Sequence, residues 1–153
     1  MTHSAETTAP ELRPASSADL PSITRLLEAS DLPTVGVGDS LSGFIVAEAD
    51  GDVVGVVGLE ACCNRYALLR STAVADAWRG RRVGRQLVER AISEAQARGL
   101  EALYLLTTTA EHYFPSFGFS KVERSEVPDD VKATEEFRSA CPASATVMTL
   151  PLK

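Results

Sequence analysis

The 153-residue chain is long enough for one domain with a real core, and 44% hydrophobic and 24% charged residues are ordinary for a soluble globular protein. A net charge of -6 argues against bulk nucleic-acid binding and against docking on an anionic membrane surface. No segment approaches the ~20 apolar residues of a membrane span, and the polar first nine residues do not read as a signal peptide. The cysteines Cys62, Cys63 and Cys141 are odd in number, with two adjacent. That is a poor disulfide framework and points to a reducing, cytoplasmic setting.

Residues 1–10 read as a disordered N-terminal segment and residues 11–153 as a single domain. Leu12 to Ala15 reads as a short first strand. A helix capped at Ser16 or Asp19 runs to about Ser30, with Leu20, Ile23, Leu26 and Leu27 on one face and Pro21 confined to its first turn. Residues 31–41 contain Pro33, Gly36 and Gly38 and read as a loop over a site. Two β-branched runs, Phe44 to Ala49 and Val53 to Leu59, flank Asp50-Gly51-Asp52, a hairpin signal. After a turn at residues 62–65, Tyr66 to Val74 completes an antiparallel meander.

The stretch Trp78-Arg79-Gly80-Arg81-Arg82-Val83-Gly84-Arg85 comes next, and it leads into a helix pattern at Val83, Gly84, Leu87, Val88, Ala91, Ile92 and Ala95. A strand, a basic turn with glycines and a helix start form a phosphate cradle. The first helical N–H groups lack intrahelical partners, and the helix dipole adds positive charge there. Five arginines, at 79, 81, 82, 85 and 90, form a basic cluster in an acidic chain, which suits one small anionic ligand better than a polyanion. A nucleic-acid module ranks last, because no aromatics interleave with these arginines and the rest of the chain is acidic.

Gly99 ends this helix as a left-handed cap, and Leu103 to Thr107 is the next strand, completing a βαβ-like unit. A short helix is expected over Ala110 to Phe114, stopped by Pro115. A strand then runs from Phe117-Gly118-Phe119 to about Glu123, and a helix capped at Asp129 or Asp130 reaches about Ala140. Ala145 to Leu150 closes as the last strand. This order gives a mixed α/β fold with helices on both faces of the sheet.

These elements resemble the GNAT superfamily of acyl-CoA-dependent N-acetyltransferases over nearly the whole chain. The resemblance rests on Thr72-Ala73-Val74, then Arg79-Gly80-Arg81-Arg82-Val83-Gly84 as R-x-x-G-x-G/A with Arg82 in place of the first glycine, and Tyr113-Phe114-Pro115-Ser116-Phe117-Gly118-Phe119 as the aromatic-x-x-x-Gly-Phe marker. It implies an α/β (α+β) GNAT fold, a mostly antiparallel mixed sheet of about seven strands whose fourth and fifth splay apart. It also implies acetyl-CoA as co-substrate, with its pantetheine on Thr72, Ala73 and Val74. Its pyrophosphate would lie on the N–H groups of Gly80, Arg81, Arg82, Val83, Gly84 and Arg85, Leu105 to Thr107 would line the other wall of the opening that admits the thioester, and Phe114 would also contact the cofactor. The acceptor would be a small amine or amino acid, no metal is implied, and relatives are often homodimers. Tyr66 to Val74 also looks like the matching strand of acetyltransferases acting on glutamate and related amino acids. More narrowly, the span from Gly58-Leu59-Glu60 to Cys141-Pro142 looks like the arsenic-resistance-associated branch.

Direct transfer needs a proton acceptor for the amine and a donor for the departing thiolate. Glu60, ending an apolar strand, is the candidate acceptor; its alternative is a solvated strand-end carboxylate. The family's usual tyrosine position holds Phe114, so Tyr113, one residue earlier, is the candidate donor or else a packing aromatic. If neither acts, water supplies the proton. Arg70, inside an apolar strand, either forks onto a substrate carboxylate or is a sheet-face arginine that pairs with Glu48 or Glu60 or reaches water. Cys62 and Cys63 point to opposite faces of an extended chain and read as small buried residues rather than as soft-metal ligands. Cys141 reads as core, and His112 as a partly exposed helical residue. The alternative function is a GNAT-fold protein that holds acetyl-CoA for regulation with weak or lost catalysis.

Overall fold

The computed structural model describes residues 10–32, 34, 37–38, 41–61, 63–107, 110, 112–134, 137 and 145–152. In chain order these form β1 (Glu11–Pro14), α1 (Leu20–Ala29), β2 (Phe44–Ala49), β3 (Asp52–Ala61), β4 (Tyr66–Val74), α2 (Val83–Ala97), β5 (Ala102–Thr107), β6 (Ser120–Lys121), α3 (Asp129–Lys132) and β7 (Thr146–Pro151). The seven strands make one sheet in the order β1-β2-β3-β4-β5-β7-β6, with β4 and β5 the parallel pair and the other neighbours antiparallel. The predicted boundaries hold to within one or two residues for β1 through β5.

The hairpin between β2 and β3 turns through Asp50 (φ 52°) and Gly51 (φ 83°), as the Asp-Gly pair predicts. On α1, Ile23 and Leu27 are fully buried, each burial contributing roughly 1.5–3 kcal/mol, and Pro21 sits in the first turn, where its missing N–H costs nothing. On α2 the buried stripe is Val83, Leu87, Val88, Ala91 and Ala95. It packs close because Gly55 of β3 has no side chain: a Cβ there would lie 2.9 Å from Leu87 Cδ1 and 3.1 Å from Val83 Cγ1. Gly99 takes the left-handed conformation (φ 76°), and Leu100 N–H donates back to the Ala95 carbonyl at 3.2 Å.

Consecutive strand residues face opposite sides. Ile45, Ala47, Leu59, Leu69, Leu103 and Leu105 pack with α2. On the other face, Val46, Val56 and Ala73 pack with α1, while Leu68, Tyr104 and Leu106 pack with Val131 of α3. Helices on both faces are thus observed. The intervening positions Glu60 and Arg70 fall on the α1 and α3 side.

Three expectations need correction. Pro115 does not stop a helix over residues 110–114; it sits in the first turn of a 3-10 turn, Phe114–Phe117, because its fixed φ and missing N–H suit a helix start. The strand expected from Phe117 to Glu123 reduces to Ser120–Lys121, since Gly118 (φ 105°) ends the 3-10 turn and Phe119 is spent in the core. The α-helix after residue 128 has Pro128 as its N-cap, with Asp129 and Asp130 in its first turn, and covers Asp129–Lys132; Phe137 further on is again helical, in a π conformation. Its expected continuation to Ala140 falls largely outside the described residues, as do Cys62, Cys141 and the N-terminal nine.

Candidate active site

The parallel pairing of β4 with β5 covers only Tyr66–Ala102, Ala67–Leu103 and Leu68–Tyr104. Beyond Leu68 and Tyr104 the two strands part. A bulge sharpens the separation: Val56 pairs with Ala73 and Gly58 with Arg70, so β4 takes three steps where β3 takes two. Ser71 absorbs the extra step at φ 59°, a left-handed conformation that a non-glycine residue enters only under tertiary constraint.

The parting opens a cleft of about 960 Å³. Its walls are Leu69 to Val74 on one side and Leu105 to Thr107 with Ala110, Tyr113 and Phe114 on the other. Its outer end carries Trp78, Arg79, Gly80 and the start of α2 from Arg82 to Arg85. Of the predicted cofactor residues, Thr72, Ala73, Val74, Gly80, Arg82, Val83, Gly84, Arg85 and Phe114 line this one cavity, whereas Arg81 does not.

Arg82 is the N-cap of α2 with φ 66° and ψ 16°. The backbone therefore keeps a glycine-like conformation although the residue is arginine, at a cost of roughly 1–2 kcal/mol. The loop arginines divide by partner. Arg79 pairs with Asp76 at 3.3 Å and donates from Nε to the Val74 carbonyl at 3.2 Å. Arg85 pairs with Glu89 at 3.5 Å, donates to Ser116 Oγ at 3.3 Å and lies 4.6 Å over the Phe117 ring. Arg81 stacks 4.8 Å over Trp78. Among the described residues, neither Arg81 nor Arg82 has a carboxylate within ion-pair distance.

Arg70 also lines the cleft, yet its side chain is sealed from solvent (0% exposed). One guanidinium nitrogen donates to Glu60 Oε1 at 3.1 Å and Nε donates to Ser71 Oγ at 2.9 Å. Of the two partners left open by sequence, Glu60 is the one engaged, while Glu48 pairs with Arg13 at 2.6 Å. Glu60 is buried, is absent from the described cleft lining, and reaches the cavity through Arg70. The acidic residue among the described lining positions is Asp31, just past α1, together with Ser30 and Leu32. The sequence places Asp31 in a loop, and nothing local marks a side chain that only the fold carries to the cleft.

Tyr113 and Phe114 both face the cleft. Phe114 is buried against Phe119, with ring centroids 5.8 Å apart, and Tyr113 is 40% exposed. The Tyr113 hydroxyl lies beside the first turn of α2, 3.8 Å from where a Cβ on Gly84 would stand. Burial raises its pKa above the ordinary value of 10, outweighing the nearby positive charge of Arg85, so the phenol keeps its proton at neutral pH.

The sheet is mixed, its one parallel pair parts beyond Leu68 and Tyr104, and the cleft so opened ends at an arginine-flanked helix start. The chain belongs to the GNAT acetyltransferase family: the acetyltransferase (GNAT) domain matches residues 40–121. An N-acetyltransferase of Chlorobaculum tepidum, described as uncharacterized, is 29% identical over 115 residues, covering 73% of this chain and 74% of that one. An amino-acid acetyltransferase of Mycobacterium tuberculosis is 28% identical over 131 residues, covering 80% and 75%. Among solved structures, N-acetylglutamate synthase from Neisseria gonorrhoeae, complexed with coenzyme A and N-acetyl-glutamate, superposes with a TM-score of 0.80 at 21% identity, over 94% of this chain and 35% of that longer one. The sheet and its helices are those of the GNAT fold. No helix among the described residues is long and apolar enough to cross a membrane.

Proposed function

We propose that this protein transfers the acetyl group of acetyl-CoA directly to the amine of a small amino compound, an amino acid of the glutamate kind suiting the site best. The observation that carries the reading is the single cleft running from the parted ends of β4 and β5 to the first turn of α2. The pantetheine arm pairs with the backbone of Thr72, Ala73 and Val74. The diphosphate lies on the N–H groups between Gly80 and Arg85, where helix geometry leaves donors unpaired. Arg70 receives an acceptor carboxylate, with Glu60 holding its guanidinium from behind. The amino-acid acetyltransferase relative and the N-acetyl-glutamate complex of the structural neighbour favour this acceptor class.

The neutral amine attacks the thioester carbonyl, a C–N bond forms and the C–S bond breaks. Glu60 takes the proton released by nitrogen through a water, because Arg70 stands between it and the cleft. Tyr113 gives a proton to the departing thiolate in place of the tyrosine that Phe114 replaces. The test is thiol release from acetyl-CoA against amino acids, amino-acid analogues, polyamines and peptides. Amino-acid-dependent release, slowed more by Glu60→Gln than by Asp31→Asn, is expected. Release with polyamines alone would overturn the acceptor class, and a larger loss with Asp31→Asn would move the base to Asp31, the acidic side chain on the described lining.

The narrower arsenic-associated branch stays a reading of Gly58-Leu59-Glu60 and of Cys141-Pro142, the latter outside the described residues. A homodimer and a cytoplasmic setting complete the proposal; light scattering and cell fractionation check them.

A further inference from the structure

Side chains alternate across an extended strand, so Arg70 and Ser71 belong on opposite faces of β4. The strand departs from that rule here. Leu69 and Val74 pack on the α2 face, whereas Ala73 packs on the α1 face, the side that Arg70 takes. Arg70 and Ala73 are an odd number of residues apart yet share a face, which regular alternation forbids. Ser71 makes the difference, at φ 59°, where β4 takes three steps against two of β3. The result is a contact between chain neighbours that a regular strand would hold apart: Arg70 Nε donates to Ser71 Oγ at 2.9 Å. With Nη1 donating to Glu60 Oε1 at 3.1 Å, the guanidinium is held at two different nitrogens. One such bond leaves a planar group free to swing about it; two fix its plane. Both Arg70 and Ser71 line the cleft, so this orientation is set where a ligand enters. Backbone strain of this kind persists where the surroundings demand it, and it gathers at functional sites.

We propose that Ser71 is a positioning residue for the acceptor, its left-handed backbone and its hydroxyl together aiming the Arg70 guanidinium at an acceptor carboxylate. Ser71 has this role only if Arg70 receives that carboxylate, as proposed above. A guanidinium holds a carboxylate best through two parallel N–H donors, a match that is lost when its plane turns. Glu60 and Ser71 divide the task of holding it. Glu60 balances part of the charge, whereas the serine oxygen is a neutral acceptor that fixes direction and leaves the remaining charge for the ligand. A second carboxylate in place of Ser71 would quench that charge. A site built in this way favours amino acids over simple amines.

Thiol release from acetyl-CoA, with L-glutamate and putrescine as acceptor probes, tests it on the intact chain. Ser71→Gly deletes the oxygen and relieves the strain, because glycine enters φ 59° freely; Ser71→Ala deletes the oxygen and keeps the strain. Both should raise the glutamate KM about tenfold, the lower range for a hydrogen bond to a charged group. In both, kcat and the acetyl-CoA KM should change less than about twofold, since neither variant touches a group that moves a proton. Thermal unfolding should separate the same two variants, with Ser71→Gly melting above Ser71→Ala. KM then follows the oxygen while stability follows the backbone, a split that a merely structural serine would not produce. An unchanged glutamate KM in Ser71→Gly, a rise confined to one of the two variants, or a fall in kcat at constant KM would overturn the role of Ser71 and leave Arg70 as the carboxylate reader. Wild-type release with putrescine and none with glutamate would overturn the carboxylate reading itself, and the role of Ser71 with it.

Discussion

Arginine does opposite work at the two ends of the cleft. At the outer end the guanidinium groups of Arg79, Arg81, Arg82 and Arg85 sit one to three residues apart; Arg79 and Arg85 pair loosely with acids from their own turn or helix, and Arg81 and Arg82 pair with none among the described residues. At the inner side Arg70 is sealed beneath the α1 and α3 face and tied to a carboxylate ten residues away in sequence. Exposed pairs contribute little to folding, so the loop can keep charge for a ligand at small cost in stability. A buried pair is expensive to break, because the abandoned partner stays charged in a low-dielectric setting. One end is therefore tolerant of substitution, while the other is tied to the integrity of the sheet.

The largest effect should come from breaking that buried pair. Glu60→Ala is expected to cost about 3–5 kcal/mol in urea unfolding, and replacing both residues by apolar side chains, as in Glu60→Leu with Arg70→Met, should recover most of it. If Glu60→Ala cost no more than a surface change, the two ends would not differ as argued. Next comes catalysis. Tyr113→Phe should lower kcat by about 100-fold, the lower range for a positioned proton donor. Only the protonated phenol donates, and burial raises its pKa above 10, so wild-type kcat should lose its Tyr113-dependent part only above pH 10. Tyr113→Phe should abolish that alkaline limb.

A control off the described cleft lining sharpens the contrast. Asp19 is buried, accepts two hydrogen bonds from Arg13 at 2.8 and 2.9 Å, and its carboxyl is lowered from 3.8 to about 2, chiefly by those bonds. The ionised form is the one favoured by folding, so this stability is full above about pH 5 and is lost as pH falls towards 2. Asp19→Asn should remove up to about 2 kcal/mol at pH 7 and flatten the acid limb of stability, with CoA affinity unchanged. The smallest effect belongs to the loop. Arg82→Gly relieves a left-handed arginine and should raise stability by about 1 kcal/mol or less, or roughly 2–4 °C in Tm at most. It should weaken CoA binding at the same time, separating ligand charge from folding in one residue.

What could be read in the sequence follows from how local its causes are. The β4–α2–β5 unit was legible because alternation, a basic turn, a 3.6-residue stripe and Gly99 all act within a few residues of one another. The 3-10 turn after Tyr113 was misread because Pro115 can either end a helix or begin one, and only the aromatic packing around Phe114 and Phe119 decides. The Arg70 partner needed the register of β3 on β4. That register depends on a bulge at Ser71, which no glycine announces. Asp31 reaches the cleft by the path of the chain after α1, for which the sequence holds no local mark. The arginine-flanked end of the cleft is thus written in one contiguous stretch, whereas the end at Arg70 and Asp31 is assembled from distant pieces.

The central claim is that the cleft between β4 and β5 receives acetyl-CoA with its diphosphate at the start of α2. Isothermal titration of the intact protein with acetyl-CoA tests it most directly. A single site with a Kd of about 100 µM or tighter, weakened by added salt, is the predicted result. No heat of binding at about 1 mM acetyl-CoA would contradict the account.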